Sequence, residues 1–137
     1  MFVASERGDR DSLLALHTED AVQIEHPNRL KTKRDRRAPA KIAEDLARGK
    51  TILRSEHYEI VNAAASGDAV ALQVEWTGVL GVPIGALGPG DQMTTFSGIF
   101  PRFREEQIAE QINCDCFEDF LAPKEPGPGQ SEVPAQK

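Results

Sequence analysis

The chain has 137 residues, 39% of them apolar and 28% charged, with a formal net charge of −6. That length suits one domain with one core, and the acidic balance argues against nucleic acid and anionic membrane as partners. No apolar run approaches the roughly 20 residues of a membrane-spanning helix, and MFVASERGDR shows no signal-peptide pattern, so the expected location is the cytoplasm.

Residues 1–18 read as two helical pieces split at Arg7-Gly8-Asp9: a short one of about two turns, then one from about Arg10 to His17. His17 is expected at that helix's C-terminal end, where the dipole favours it. Thr18-Glu19-Asp20 reads as the close of the helix. Ala21 to Glu25 (AVQIE) alternates and reads as a strand, and His26-Pro27-Asn28-Arg29 as a turn. The basic run Lys31 to Arg37 (KTKRDRR) has no interleaved aromatics and reads as a solvated loop rather than a nucleic-acid patch. Pro39 opens a third helix running to about Arg48, with Ile42, Ala43, Leu46 and Ala47 as its apolar stripe and Gly49 as its C-cap.

Two long strands follow, Thr51 to Ala65 and Ala69 to Leu80, joined by a tight turn at Ser66-Gly67-Asp68. Gly81 to Gly90 (GVPIGALGPG) is a loop whose Val82, Ile84 and Leu87 are unusually apolar, which suggests a flap over a pocket mouth. It is not a phosphate loop, because no Lys-Ser or Lys-Thr follows it. Asp91 to Phe103 and Gln107 to Phe120 are the last two strands, joined at Arg104-Glu105-Glu106, and the hairpin connections make the sheet antiparallel. The final strand, QIAEQINCDCFEDF, places Ile108, Ile112, Cys114 and Cys116 on one face and Ala109, Gln111, Asn113, Asp115 and Phe117 on the other. The two cysteines, the only ones, read as small buried hydrophobes rather than a disulfide or metal pair. Residues 121–137 are proline-rich and polar and read as a disordered tail.

Helices gather early and strands late, which is an α+β pattern. The order and three strings, RGDRDSLLALHTEDAV, RSEHYEIVNAAASGDAVALQVEWTG and QINCDCFEDF, resemble the SnoaL-like branch of the nuclear transport factor 2-like superfamily over about residues 2–120. The resemblance implies a conical, cystatin-like half-barrel, with three N-terminal helices packed on a curved, mostly antiparallel sheet. It implies a pocket between sheet and helices, a homodimer formed through the outer sheet face, and acid–base chemistry without metal or cofactor. Asp115 falls at a position where family members carry a pocket aspartate. Neither the Arg-Asp pair of the family's epoxide hydrolases nor the Tyr and Asp pair of its isomerases is evident.

Within such a cup Asp115 reads either as a general base in a dry pocket or as a carboxylate on a solvated sheet face. Asn113, on the same face, holds a substrate oxygen or makes a cross-strand bond. His26, at a strand end, is the candidate proton relay, with a surface role as its alternative. His57 is the other histidine with a route to the pocket. Tyr58, Trp76 and Phe117 are candidate pocket-wall residues. The expected activity is that of an isomerase, cyclase, dehydratase or hydrolase working on a small apolar molecule. The alternative is a non-catalytic ligand-binding or dimeric interaction module of the same fold.

Overall fold

The computed structural model describes residues 10–120. Helix α1 spans Arg10–Ala15, with Asp11 in its first turn opposing the helix dipole. It stops two residues earlier than expected because His17 already opens strand β1, His17–Glu25. His17 is therefore buried at the helix–strand junction, its ring Nδ1 hydrogen-bonded to the Leu13 carbonyl at 2.7 Å, and is not a dipole partner at a helix end. Thr18-Glu19-Asp20, expected to close the helix, lies instead within β1. The strand runs through it by shifting register between His17 and Val22.

The basic run does not stay a solvated loop. Its last three residues, Asp35–Arg37, form strand β2, antiparallel to β1 with Gln23 opposite Arg37. Helix α2 spans Pro39–Ile52, with Pro39 in the first turn, where a missing N–H costs nothing. It runs four residues past the expected end at Arg48, and Gly49 lies inside it, its carbonyl accepting from the Leu53 N–H that closes the helix.

Strands β3 (Leu53–Ser66), β4 (Ala69–Leu80), β5 (Gln92–Arg104) and β6 (Gln107–Phe117) complete the sheet. Gly67 makes the β3–β4 turn at φ +60°. At the β5–β6 turn Glu105 and Glu106 both take positive φ, 52° and 67°, as a two-residue type I′ connection requires. The sheet has six strands in the order β2-β1-β6-β5-β4-β3, all neighbours antiparallel except the parallel pair β1 and β6. Helix α2 touches β1 and β2 at one end of this order and β3 at the other. Helix α2 runs directly into β3, and residues of α2, β1, β3, β4, β5 and β6 line one cavity, which makes the cup.

Among the described residues the helices number two rather than the expected three. The first short helix, expected at about residues 1–8, lies outside them, as does the expected tail at 121–137. A core cluster of Leu80, Leu87, Met93 and Phe120 closes one end of the cup, with Ile84, Leu53, Trp76 and Phe117 against it. Phe117 and Phe120 meet edge to face with centroids 5.9 Å apart. This accounts for the apolar loop 81–90. Ile84 and Leu87 pack into the core, and the Ala86 N–H donates to the Phe120 carbonyl at 2.8 Å. None of residues 81–90 lines the cavity described below, so the flap reading is replaced by a core plug. Gly85 is required there: its φ is +58°, and a Cβ would sit 2.3 Å from the Phe120 carbonyl oxygen.

Candidate functional site

The inner face of the sheet carries polar residues where alternation brings them inward. On β1 these are Gln23 and Glu25, on β5 Thr95 and Ser97, and on β6 Gln111, Asn113 and Asp115. Register arranges them in rows across the strands: Gln23 beside Gln111, Glu25 beside Asn113, Asp115 beside Ser97, and Phe117 beside Thr95, Trp76 and Tyr58. With α1 and α2 above, they enclose a cavity of about 430 Å³.

The face of β6 that looked apolar in the sequence is the outer one. A bulge pairs Arg102 with Glu110 but Phe103 with Ile108, so Ala109 is the extra residue and Ile108 moves to the buried inner side. Cys114 is half-buried and Cys116 exposed, both free, which corrects the expectation of two buried cysteines. Burial, with Asp115 and Cys116 as neighbours, pushes the Cys114 thiol up, away from a reactive thiolate.

Asp115 lies mid-strand on β6 and lines this cavity. Ser97 Oγ donates to its Oδ1 at 2.6 Å. Its pKa is raised to about 6: burial is the largest cause, the Ser97 bond opposes it, the Glu25 carboxyl adds to it through a hydrogen bond and through charge, and Arg37 lowers it. Glu25 is itself held by cations, with Arg37 Nη2 at 3.4 Å and Lys31 Nζ at 3.4 Å on the same oxygen, while Asn28 Nδ2 donates to its other oxygen at 3.1 Å. Arg37 turns its Nη1 to Asp45 of α2 at 2.7 Å. The side chains of Arg37 and Glu25 are each only 12% exposed. The largely enclosed chain Asp115–Glu25–Arg37–Asp45 thus links β6, β1, β2 and α2 across the cavity.

The far end is aromatic. The Trp76 indole N–H donates to Glu56 Oε1 at 2.8 Å. Gly78 leaves room for that ring, since a Cβ there would lie 2.5 Å from it. The structure therefore brings Asp115, Asn113, Tyr58, Trp76 and Phe117 to one cavity. It does not bring His26 there. β1 ends at Glu25, which takes the inward position, and His26 follows outside the cavity lining with its backbone N–H on the Asn113 carbonyl at 3.0 Å. His57 is exposed on the other face of β3. Glu25, Arg37 and Ser97 are the residues that sequence reading missed. The alternation of Gln23 and Glu25 in AVQIE was a usable signal, since two polar residues shared the inward parity of a strand. Among the described residues no group of three His, Cys, Asp or Glu is placed to hold a metal ion, and no helix is long and apolar enough to cross a membrane.

The α+β cup thus has a polar floor at one end and aromatic walls at the other. The chain belongs to the SnoaL-like domain family, whose model matches residues 1–111. It is similar in structure to IdmH, a proposed polyketide cyclase from Streptomyces antibioticus, at TM-score 0.71 and 18% identity over 83% of this chain and 85% of that one. AclR, a proposed hydroxylase from Streptomyces galilaeus, follows at TM-score 0.67 and 17% identity over 83% and 72%. An LEH-like epoxide hydrolase of M. tuberculosis gives TM-score 0.60 and 19% identity over 85% and 76%. Identities this low carry the nuclear transport factor 2-like fold and not the reaction. No curated protein matches the chain.

Proposed function

We propose that this protein is an acid–base enzyme acting on a small molecule with an apolar body and a polar end, with Asp115 as the base. The observation that carries this reading is a half-buried carboxyl poised near pH 6, held by Ser97 and facing Glu25 inside a cavity of about 430 Å³. A base with a pKa near the working pH combines a populated ionised form with useful basicity. Asn113 and Ser97 orient the substrate or its developing oxyanion, and Trp76, Tyr58 and Phe117 hold the apolar body. The reaction class this supports is proton abstraction or water activation, as in an isomerase, cyclase, dehydratase or hydrolase. It needs no cofactor. His26 has no part in it, and Glu25 takes the place beside Asp115 that sequence reading gave to the histidine.

The test is catalysed exchange of α-protons for deuterium in a cyclic ketone such as 1-tetralone, followed by NMR. The wild type should accelerate exchange with a rate that rises through pH 6 to a plateau, and Asp115→Asn should lose roughly 10²–10⁴-fold. Equal rates in the two proteins would overturn the assignment.

The outer face of the sheet favours a second feature. Phe96 and Phe100 of β5 are 47% and 42% exposed, beside Cys116 and Ile112 of β6. Exposed aromatics on a sheet face suit a self-complementary contact, so the proposal includes a homodimer through this surface. Sedimentation should give a dimer for the wild type and a monomer for Phe96→Glu/Phe100→Glu, and a monomeric wild type would end that part of the proposal.

A further inference from the structure

One row of the cavity floor is left incomplete by the protein. Gln23 of β1 stands in register between Arg37 of β2 and Gln111 of β6, and all three line the cavity. Gln111 is 2% exposed and Gln23 9%. Gln111 Nε2 donates to Asn113 Oδ1 at 2.9 Å, which leaves its carbonyl oxygen over. That oxygen, the Gln23 Oε1 and the Arg37 Nε are all buried without a hydrogen-bond partner from the protein. Arg37 spends its two outer nitrogens on Asp45 and Glu25, and its Nε lies 3.9 Å from Asp35 Oδ2, beyond hydrogen-bond range. Buried polar atoms are nearly always paired, and three orphans in one row of a cavity mark a place where the partner comes from outside.

The chemistry of the three selects the partner. There are two acceptors, Gln23 Oε1 and Gln111 Oε1, and one N–H donor, Arg37 Nε. A carboxylate or phosphate has nothing to donate to the two carbonyl oxygens and would meet the Glu25 carboxylate in the next row. An ammonium group would leave the guanidinium N–H unpaired and add a cation beside Arg37. A neutral hydroxyl accepts from Arg37 Nε and donates to one of the two glutamine oxygens, leaving the other to a neighbouring water; water alone would satisfy all three, and the affinity comparison below separates the two. We infer that the Gln23–Gln111–Arg37 row is a subsite for a hydroxyl of the substrate, an alcohol or a phenol, accepting from Arg37 Nε and donating to a glutamine carbonyl. The inference rests on the proposed function in that it names the polar end of the same substrate. Asn113 and Asp115 lie one and two pleats further along β6 from Gln111, each about 7 Å of strand. The hydroxyl and the carbon that loses its proton are therefore at opposite ends of a ring or short ring system.

The test uses three rigid ketones, 1-tetralone, 6-hydroxy-1-tetralone and 6-methoxy-1-tetralone, with affinity measured by calorimetry and α-deuterium exchange by NMR. The methoxy group can accept but not donate. The 6-hydroxy compound should bind roughly tenfold or more tighter than either analogue. That preference should vanish in Gln111→Leu and in Gln23→Leu. If the glutamines are there to bind, ligand-free Gln23→Leu should melt no lower than the wild type, because it removes an unpaired buried carbonyl, whereas Gln111→Leu also loses the bond to Asn113 and is read by the preference alone. A purely structural role would lower the melting temperature and leave the preference intact. Equal affinities for the three ketones, or no binding of any, overturn the subsite. A hydroxyl preference without exchange would uphold the subsite and fail the base, and exchange without preference would do the reverse.

Discussion

Asp115→Asn is expected to stabilise the protein above pH 6 while removing its chemistry. In the wild type the folded-state pKa is about 6, against an ordinary value of 3.8. Between those values the folded protein holds a proton that the unfolded chain has released. Stability therefore falls as pH rises from about 4 to about 6, and the loss persists above that window. A shift of this size corresponds to about 2–3 kcal/mol. Asparagine carries no charge at any pH, still accepts from Ser97 and can donate to Glu25. Urea melts of the two proteins should agree near pH 4 and separate by that amount at pH 8, the variant being the more stable. A variant less stable than the wild type at pH 8 would mean that Asp115 is held as a carboxylate by partners that favour its charge. Carboxylates whose pKa is lowered, such as Asp45 beside Arg37 and Lys41, give the opposite slope in acid and cancel in the comparison.

The second large effect is expected at Arg37. Its guanidinium compensates two half-enclosed carboxylates, Glu25 and Asp45, whose side chains are 12% and 15% exposed. Arg37→Met fills a similar volume but leaves Glu25 to Lys31 and Asp45 to Lys41 and Arg48, so the loss should reach but not exceed the lower end of the about 3–5 kcal/mol of a fully buried broken pair. The same change removes the charge that lowers the Asp115 pKa, so the pH–rate midpoint should move upward from about 6. Adding Glu25→Gln to Arg37→Met should recover part of the stability, since the two residues are coupled. Additive losses in that cycle would show that Arg37 and Glu25 do not act on each other.

The fold was legible because hydrophobic period and turn chemistry agree in the second half of the chain. Gly67-Asp68 and Glu105-Glu106 mark two hairpins, and β4 has the boundaries that its alternation predicts. The site was legible only where one strand sufficed. Asp115, Asn113 and Phe117 share a parity that can be counted along β6. Their cross-strand partners depend on a single inserted residue. Continuing the Arg104–Gln107 register without the Ala109 bulge would set Asp115 against Phe96, whereas the bulge sets it against Ser97. No local signal in IAEQ marks that bulge. Arg37 was hidden differently, in a run of basic residues whose composition describes a solvated loop. Tertiary pairing with β1 turned its last three residues into a strand and aimed one arginine inward. His26 was favoured for its titration range, but strand parity gave the inward place to Glu25.

That Asp115 is a half-buried carboxyl whose proton is exchanged in the working range is tested most directly by carbon NMR of the aspartate side chains. The Asp115 carboxyl, assigned by its loss in Asp115→Asn, should titrate with a midpoint at about 6 and fall in Glu25→Gln, where the neighbouring charge is gone. A midpoint near 3.8, unmoved by the Glu25 substitution, would make Asp115 an ordinary sheet carboxylate and contradict the account.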